Sequence, residues 1–157
     1  MRLAAHTRRD LVFPSLPGFD DSTVLRALAR RIALAGVVDD ANSLYDALWE
    51  REQLGSTGLG HGVAVPHCKL KKLESVVLAI GWTEQEIDFG ALDGRPTRLF
   101  FTVLSPVSQP AAHLRCLASI SRWLSEPARV ERLLRLDRAD DILLELESAE
   151  DPEPAGA

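Results

Sequence analysis

The central part of the chain, residues 76–104, reads VVLAIGWTEQEIDFGALDGRPTRLFFTVL. It contains two almost continuous apolar runs, Val76–Trp82 and Arg98–Leu104. Such runs are typical of strands that are buried on both faces, so both predict central strands of a sheet. The dipeptide Asp93–Gly94 lies between them and predicts a turn.

Two helices are predicted on the N-terminal side of these strands. Residues 20–22, Asp-Asp-Ser, provide an N-cap for a helix that continues to about residue 35, where Gly36 ends it. A second helix is predicted from about residue 40 to about residue 52. Leu11–Phe13 predicts a short strand that Pro14 limits, because proline lacks the amide that a strand ladder uses.

Three further helices are predicted after the strands, at about residues 109–124, 127–136 and 138–148. A short strand at Val63–Val65 adds to the two central ones. Helices before and after a strand-rich middle predict the α/β class, with one domain whose mixed, mostly buried β-sheet is flanked by helices on both faces. The sheet is expected to be mixed because some connections are too short for the crossovers that parallel strands need.

The length of 157 residues suits one domain. We expect residues 1–10 to form a loose N-terminal lead-in and residues 11–148 to form the folded domain. Residues 149–157 are acidic and rich in proline, which predicts a disordered tail.

Composition and charge exclude several classes of protein. The formal net charge of −5 disfavours nucleic acid as a partner, because nucleic-acid-binding proteins usually present a basic stripe. Two cysteines are too few for a disulfide framework. The longest apolar stretches are much shorter than a membrane span, so no direct membrane insertion is expected. Together with the lack of a secretory signal, these features predict a cytoplasmic protein.

A glycine-rich loop precedes the central strands, and residues 51–67 read REQLGSTGLGHGVAVPH. Glycines lack a Cβ and allow backbone N–H groups to approach an anion, and Ser56 and Thr57 add hydroxyl donors. Pro66 restricts the backbone on either side and holds His67 in place. The loop lacks the lysine of a nucleotide-binding Walker loop. These residues alone leave two interpretations open, a reactive histidine beside an anion site or an ordinary surface histidine.

The pattern RE-x-L-x-STGLG-x-GVAVPH resembles the signature of the EIIA domain of the fructose–mannitol class of bacterial phosphotransferase systems. Within that class it is most similar to the nitrogen-regulatory subgroup, EIIA-Ntr. A second stretch, residues 102–124 (TVLSPVSQPAAHLRCLASISRWL), resembles the family segment in which a His-Leu pair lies early in a helix. The resemblance covers about residues 11–148.

The resemblance implies that His67 is the phosphorylated residue. It also implies a set of residues around the transferred phosphoryl group, and these are Arg51, Thr57, Gly58, Gly60 and His113. A neutral imidazole is a competent nucleophile near neutral pH, and Arg51 would supply a forked cationic donor to the phosphoryl oxygens. A neutral His113 near a helix N-terminus would donate an N–H to those oxygens or orient His67.

The implied function is that of a transferase-type phosphoryl carrier with a phosphohistidine intermediate and no cofactor. The group would come from a histidine-containing phosphocarrier protein and pass to a sugar permease EIIB subunit, or its presence would act as a regulatory signal. A regulatory protein-binding module of the nitrogen type, without sugar transport, is the alternative.

A third hypothesis is metal binding, because residues near the loop include four with zinc-competent ligand types: His61, His67, Cys68 and His113. Their spacing matches no standard zinc motif. Glu52 is interpreted as a solvated or salt-bridging residue. For docking of a partner, Leu59, Val63 and Leu70 are the expected apolar contacts.

Overall fold

The computed structural model describes residues 1–148. Within this range the chain forms six strands, which are β1 (Val12–Leu16), β2 (Gly58–Gly60), β3 (Val63–Ala64), β4 (His67–Leu70), β5 (Val77–Ile87) and β6 (Thr97–Pro106). It also forms five α-helices, which are α1 (Asp21–Leu34), α2 (Ala41–Gln53), α3 (Pro110–Trp123), α4 (Pro127–Arg135) and α5 (Ala139–Ser148). Both central strands and all five helices were predicted, and each helix end lies within one residue of its predicted position.

The strands form one mixed sheet in the order β1-β5-β6-β3-β2, and β4 also pairs with β6 beyond β3. The long hairpin partners β5 and β6 are antiparallel, whereas β3 and β4 run parallel to β6 and β1 runs parallel to β5. Strand β6 is therefore central, which explains why it is buried at nearly every position and carries a run of apolar residues.

Helices cover both faces of the sheet, as predicted. Phe100 and Leu104 of β6 pack against α1 and α2 in one cluster, which we call the α1/α2 core. Leu99, Phe101 and Val103 point to the opposite face and pack against the last three helices in the α3–α5 core. This alternation along one strand is the two-residue period of β-structure.

The helix boundaries follow from local capping chemistry. The Asp20 carboxylate accepts from the backbone N–H of Thr23, and the Thr23 hydroxyl faces the backbone N–H of Asp20, which completes a capping box at the start of α1. The Asp40 carboxylate accepts from the N–H of Asn42 at the start of α2. Gly36 has a φ of +83° just after α1, in the left-handed region that glycine favours.

Strand β1 differs from its prediction because it runs through Pro14 instead of stopping before it. The strand lies at the sheet edge and pairs only with β5, and its register shifts between Phe13 and Leu16. An edge strand with an irregular ladder accommodates the missing amide of proline.

The N-terminal segment also differs from the expected loose lead-in. Leu3–His6 forms a short 3-10 helix, and the buried Leu3 side chain packs into the α3–α5 core. The His6 Nδ1 lies 3.2 Å from the carbonyl oxygen of Val76. The apolar residues of this segment show no helical or strand periodicity, so the sequence carried no signal for this packing. The domain range of 11–148 stays a prediction, and the predicted tail at 149–157 lies outside the described residues.

Two strands were not predicted. Strand β2 lies inside the glycine-rich loop and pairs antiparallel with β3, and β4 begins at His67 itself. Both are too short to show a pattern of alternation. Within residues 1–148, no helix has the length and apolar character needed to cross a bilayer.

Candidate functional site

His67 is the first residue of β4 and lies opposite Val103 of β6 in a parallel ladder. The sequence predicted that the preceding strand stops at Pro66 and leaves His67 just past its end. Instead Pro66 separates β3 from β4, and its carbonyl accepts from the N–H of Val103 at 2.9 Å. The backbone beneath the imidazole is therefore fixed by the central strand of the sheet.

The two ring nitrogens of His67 have different partners. Nδ1 lies 2.8 Å from the carbonyl oxygen of Val65, which can only accept, so Nδ1 carries the ring proton. The Nε–H of Arg51 donates to Nε2 at 3.1 Å, so Nε2 holds the lone pair. Burial lowers the pKa of His67, and the charges of Arg51 and Lys69 lower it further, although the bond to Val65 opposes them. The ring is thus a neutral imidazole with its nucleophilic nitrogen at Nε2.

Arg51 lies in the last turn of α2 and is held from two sides. Its Nη1–H donates to the carbonyl of Gly55 at 2.9 Å, while its Nε–H reaches His67. A cation in the last turn is also favoured by the helix dipole. The guanidinium is therefore positioned beside Nε2 by both the helix and the loop that follows it.

His113 lies in the first turn of α3 and faces His67. The ring centroids are 5.3 Å apart with an interplanar angle of 55°. His113 is only 5% exposed, and its Nδ1 lies 2.6 Å from the hydroxyl oxygen of Ser105. Burial lowers the pKa of His113 to about 4, with smaller contributions from the charges of His67 and Lys69, so this ring is neutral at pH 7.

The prediction that Glu52 is solvated or salt-bridged is wrong. Glu52 is 8% exposed, and its carboxylate accepts from the backbone N–H of Thr57 at 2.8 Å and from its hydroxyl at 2.6 Å. Burial raises the pKa of Glu52, while the two bonds from Thr57 and the charge of Arg51 act in the opposite direction. The Thr57 hydroxyl, which was expected to face the phosphoryl group, thus ties the loop to the end of α2 in this structure.

Two glycines of the loop, Gly58 and Gly60, are needed for close packing against the turn that precedes β6. A Cβ on Gly60, whose φ is +83°, would lie 2.8 Å from Oδ2 of Asp93, and a Cβ on Gly58 would lie 3.1 Å from the Cα of Ala91. The same Asp93 oxygen accepts from the N–H of His61 at 2.8 Å. The sequence predicted only a turn at Asp93 and missed this contact between distant loops.

Two cavities meet at His67. One, of about 500 Å³, is also lined by Arg51, Lys69, His113 and apolar side chains that include Leu54 and Leu114. A smaller cavity of about 200 Å³ lies on the loop side and is also lined by Ser56, Thr57, Gly58 and Leu59. The structure thus places the predicted residues around one imidazole, except that Gly60 packs against Asp93.

Of the expected apolar docking residues, only Leu59 is exposed beside His67, at 47%. Val63 is 2% exposed in the α3–α5 core, so its prediction as a docking residue is wrong. Leu70 is half-buried against the α1/α2 core at the far end of β4. The sequence analysis missed Leu54 and Leu114, which are both exposed at the rim of the larger cavity.

The metal-binding hypothesis finds no support in the structure. Among residues 1–148 no group of three or more His, Cys, Asp or Glu side chains is arranged to hold a metal ion. Cys68 is buried in the α1/α2 core, and this burial raises the pKa of its thiol to about 12. The His61 backbone is bound to Asp93 in a separate turn.

Residues 6–149 match the family described as "Phosphoenolpyruvate-dependent sugar phosphotransferase system, EIIA 2". This match spans most of the chain, and the protein belongs to this family. EIIA domains of the phosphotransferase system are phosphoryl carriers, which agrees with a neutral, nucleophilic imidazole at the centre of the site.

Two curated relatives show the range of roles within the family. The "Nitrogen regulatory protein" of Pseudomonas aeruginosa is 36% identical over 128 residues, covering 82% of this chain and 83% of the relative. The "PTS system fructose-specific EIIA component" of Haloferax volcanii is 36% identical over 115 residues, covering 71% of this chain and 75% of the relative.

A solved structure of a third protein shows the same fold. It is the complex of mannitol enzyme IIA with phosphorylated enzyme IIB from Escherichia coli, and its match has a TM-score of 0.76 with 19% identity. The match covers 90% of this chain and 99% of that chain. In that structure, mannitol enzyme IIA is bound to its phosphorylated enzyme IIB.

Proposed function

We propose that this protein carries a phosphoryl group on Nε2 of His67. The observation that supports this most directly is the pair of contacts that leaves Nε2 unprotonated beside a guanidinium, namely Val65 on Nδ1 and Arg51 on Nε2. The donor is a phosphohistidine on a histidine-containing phosphocarrier protein.

In the transfer step, the Nε2 lone pair of His67 attacks phosphorus as the donor's own N–P bond breaks. The bonding electrons stay on the donor nitrogen, so one N–P bond replaces another and no cofactor is needed. The carbonyl of Val65 stabilises the positive charge that develops at Nδ1–H. Arg51 moves its N–H from Nε2 to the incoming phosphoryl oxygens, where a forked cationic donor matches their charge and geometry.

The surface around the site favours docking of another protein. Three exposed leucines, Leu54, Leu59 and Leu114, line the two cavities that meet at His67. A donor protein must bring its own histidine to within bonding distance of Nε2, and contact with these leucines excludes water from the reacting atoms.

The phosphoryl group then leaves His67 by the reverse chemistry. In the sugar-transport form of this proposal, the acceptor is an EIIB subunit, as in the mannitol complex from Escherichia coli. In the regulatory form, phosphorylation changes binding to a target protein. The longer match to the Pseudomonas aeruginosa nitrogen regulatory protein favours the regulatory form.

The proposal is tested by incubating the purified protein with phosphoenolpyruvate, the general phosphotransferase enzyme and its histidine phosphocarrier protein. Intact mass should show one added phosphoryl group that is labile to acid. His67→Ala should show none, and His61→Asn should behave like the wild type. Absence of the added mass from the wild type, with partners shown to be active on another EIIA protein, would refute the proposal.

The two forms are separated by adding purified EIIB subunits to the phosphorylated protein. Loss of the phosphoryl group to one EIIB subunit supports sugar transport. Retention of the group, together with a protein that binds only one of the two phosphorylation states, supports regulation.

A further inference from the structure

Ser105 is a buried polar residue whose side chain, among residues 1–148, hydrogen-bonds to His113 alone. It lies near the end of β6, is fully buried, and places its hydroxyl oxygen 2.6 Å from Nδ1 of His113. Nothing in the sequence singles out this serine, because it lies among mostly apolar residues of a buried strand.

The position of the single ring proton on His113 matters for phosphoryl transfer. Burial keeps this ring neutral at pH 7, so only one of its two nitrogens carries a proton. A ring with the proton on Nε2 offers a donor in the cavity shared with His67, whereas a ring with the proton on Nδ1 offers a lone pair that repels phosphoryl oxygens.

The donors and acceptors available to the Ser105 hydroxyl decide between these two tautomers. If Nδ1 donated to the hydroxyl oxygen, the hydroxyl proton would have no acceptor, because among residues 1–148 this hydroxyl has no second hydrogen-bond partner on a side chain or on the backbone. Folded proteins avoid buried donors without acceptors. If the hydroxyl donates to Nδ1, both groups are satisfied and the ring proton lies on Nε2.

The second ring nitrogen of His113, Nε2, is available to donate a hydrogen bond to a ligand. This nitrogen has no hydrogen-bond partner among the described residues, and the ring lines the larger cavity with His67 and Arg51. The ring centroid lies 5.3 Å from that of His67, so the two imidazoles are direct neighbours in the wall of this cavity.

We propose that Ser105 is a positioning residue that holds the proton of His113 on Nε2 and so points an N–H donor at the phosphoryl group on His67. The two histidines of the site are thereby set in opposite tautomers by different groups. The carbonyl of Val65 places the proton of His67 on Nδ1, and the hydroxyl of Ser105 places that of His113 on Nε2. This inference rests on the proposed phosphoryl transfer for its function but not for its geometry.

The tautomer is measured on the unphosphorylated protein, labelled with ¹⁵N-histidine, by long-range ¹H–¹⁵N NMR at neutral pH. The wild type is expected to show His113 protonated at Nε2. Ser105→Ala should show a new population protonated at Nδ1, and Ser105→Thr, which keeps the hydroxyl, should restore the wild-type pattern. A wild-type His113 protonated at Nδ1 would overturn the inference.

Phosphoryl transfer is then measured by rapid quench on the same three proteins. The rate of phosphoryl transfer to Ser105→Ala is expected to be about ten-fold lower than to the wild type, because part of the contribution of the His113 N–H donor is lost. Ser105→Thr should recover most of the wild-type rate. An unchanged rate in Ser105→Ala would remove the functional role of Ser105. If the wild type accepts no phosphoryl group, the proposed function fails, while the NMR spectrum still decides the tautomer.

Discussion

The Nε–H of Arg51 donates to Nε2 of His67 at 3.1 Å, so the cation that would receive the phosphoryl oxygens already touches the nitrogen that would attack phosphorus. The guanidinium is held there by a second bond to the carbonyl of Gly55. A preorganised donor of this kind needs little rearrangement during reaction, which is the main source of electrostatic catalysis in proteins.

Replacing Arg51 by alanine is expected to slow phosphorylation of His67 by about 10²- to 10³-fold, the effect typical of losing one preorganised donor. Arg51→Lys keeps the charge but not the fork and should recover only part of the rate. The rate is measured by rapid quench with the phosphorylated carrier protein. Arg30→Ala, on the exposed face of α1, is the matched control and should react like the wild type. Full activity in Arg51→Ala would remove this residue from the mechanism.

His113 is expected to make the free energy of unfolding depend on pH between about 6.5 and about 4. Burial lowers its folded-state pKa from 6.5 to about 4, so in this window the unfolded chain binds a proton that the folded protein does not. The stabilising contribution of the neutral ring is therefore complete above the unfolded-state pKa and is lost as the pH drops, by roughly 3 kcal/mol in total.

Urea unfolding at about pH 7 and about pH 4.5 checks this dependence. His113→Gln, which cannot titrate, should lose less stability than the wild type between the two conditions. His61→Asn is the control variant, since asparagine tolerates the positive φ at that position and the protein should fold normally. It should lose as much stability between the two conditions as the wild type does. The same loss in His113→Gln as in the wild type would argue that His113 does not have a lowered pKa.

Removing the Thr57 hydroxyl should destabilise the protein through Glu52. In Thr57→Val the buried carboxylate keeps the backbone donor but loses the hydroxyl donor, which is expected to cost about 1–3 kcal/mol. Thr57→Ser keeps the hydroxyl and should cost less. Denaturant midpoints compare the variants, and a Thr57→Val protein no less stable than Thr57→Ser would show that the bond to Glu52 contributes nothing.

Gly60 and Gly36 offer a matched pair, since both have a φ of +83° but only Gly60 has a close neighbour. Gly36→Ala should cost about 1–2 kcal/mol for the left-handed backbone alone. Gly60→Ala should cost more, because its Cβ would lie 2.8 Å from the Asp93 carboxylate. Thermal unfolding measures both, and adding Asp93→Ala to Gly60→Ala should reduce the destabilisation. If both substitutions destabilise the protein equally, the Asp93 carboxylate moves away from the added Cβ without a measurable loss of stability.

A negative charge on the rim of the site should impair docking of the donor protein. Leu114→Asp is expected to lower the second-order rate constant of phosphorylation by about ten-fold, because it places a charge in an apolar contact. Leu144→Asp, at an equally exposed leucine of α5, carries the same charge and should react normally. Equal rates for Leu114→Asp and Leu144→Asp would place the docking surface elsewhere.

The helices and the two central strands could be predicted from the sequence because their signals are local. The capping residues Asp20 and Asp40 mark the helix starts, and the apolar run of β6 marks a strand buried on both sides. The site residues Arg51, His67 and His113 were found by resemblance to a family motif. In the structure these three line one cavity, which agrees with that resemblance.

Local patterns failed where a residue's role depends on a distant partner. Leu3 gave no periodic signal, although it completes a core formed by helices at the other end of the chain. Glu52 looked like a surface charge although its partner Thr57 lies only five residues later, because the sequence does not show that the loop folds back onto the carboxylate. Val63 was mistaken for a docking residue, because a single β-branched residue does not reveal which face of a strand is covered.

The five helices, the two central strands and the chemical types available to the site follow from the sequence alone, because helix capping, apolar runs and turn residues act over a few neighbouring positions. The protonation pattern of the site, in contrast, depends on how the elements pack together. Pairing of β4 with β6 places His67 beside α3. Packing of α3 against β6 places the Ser105 hydroxyl next to His113. Ser105 lies only 8 residues before His113, but their contact forms only when α3 folds back onto β6, so it follows from packing and not from a pattern in the sequence.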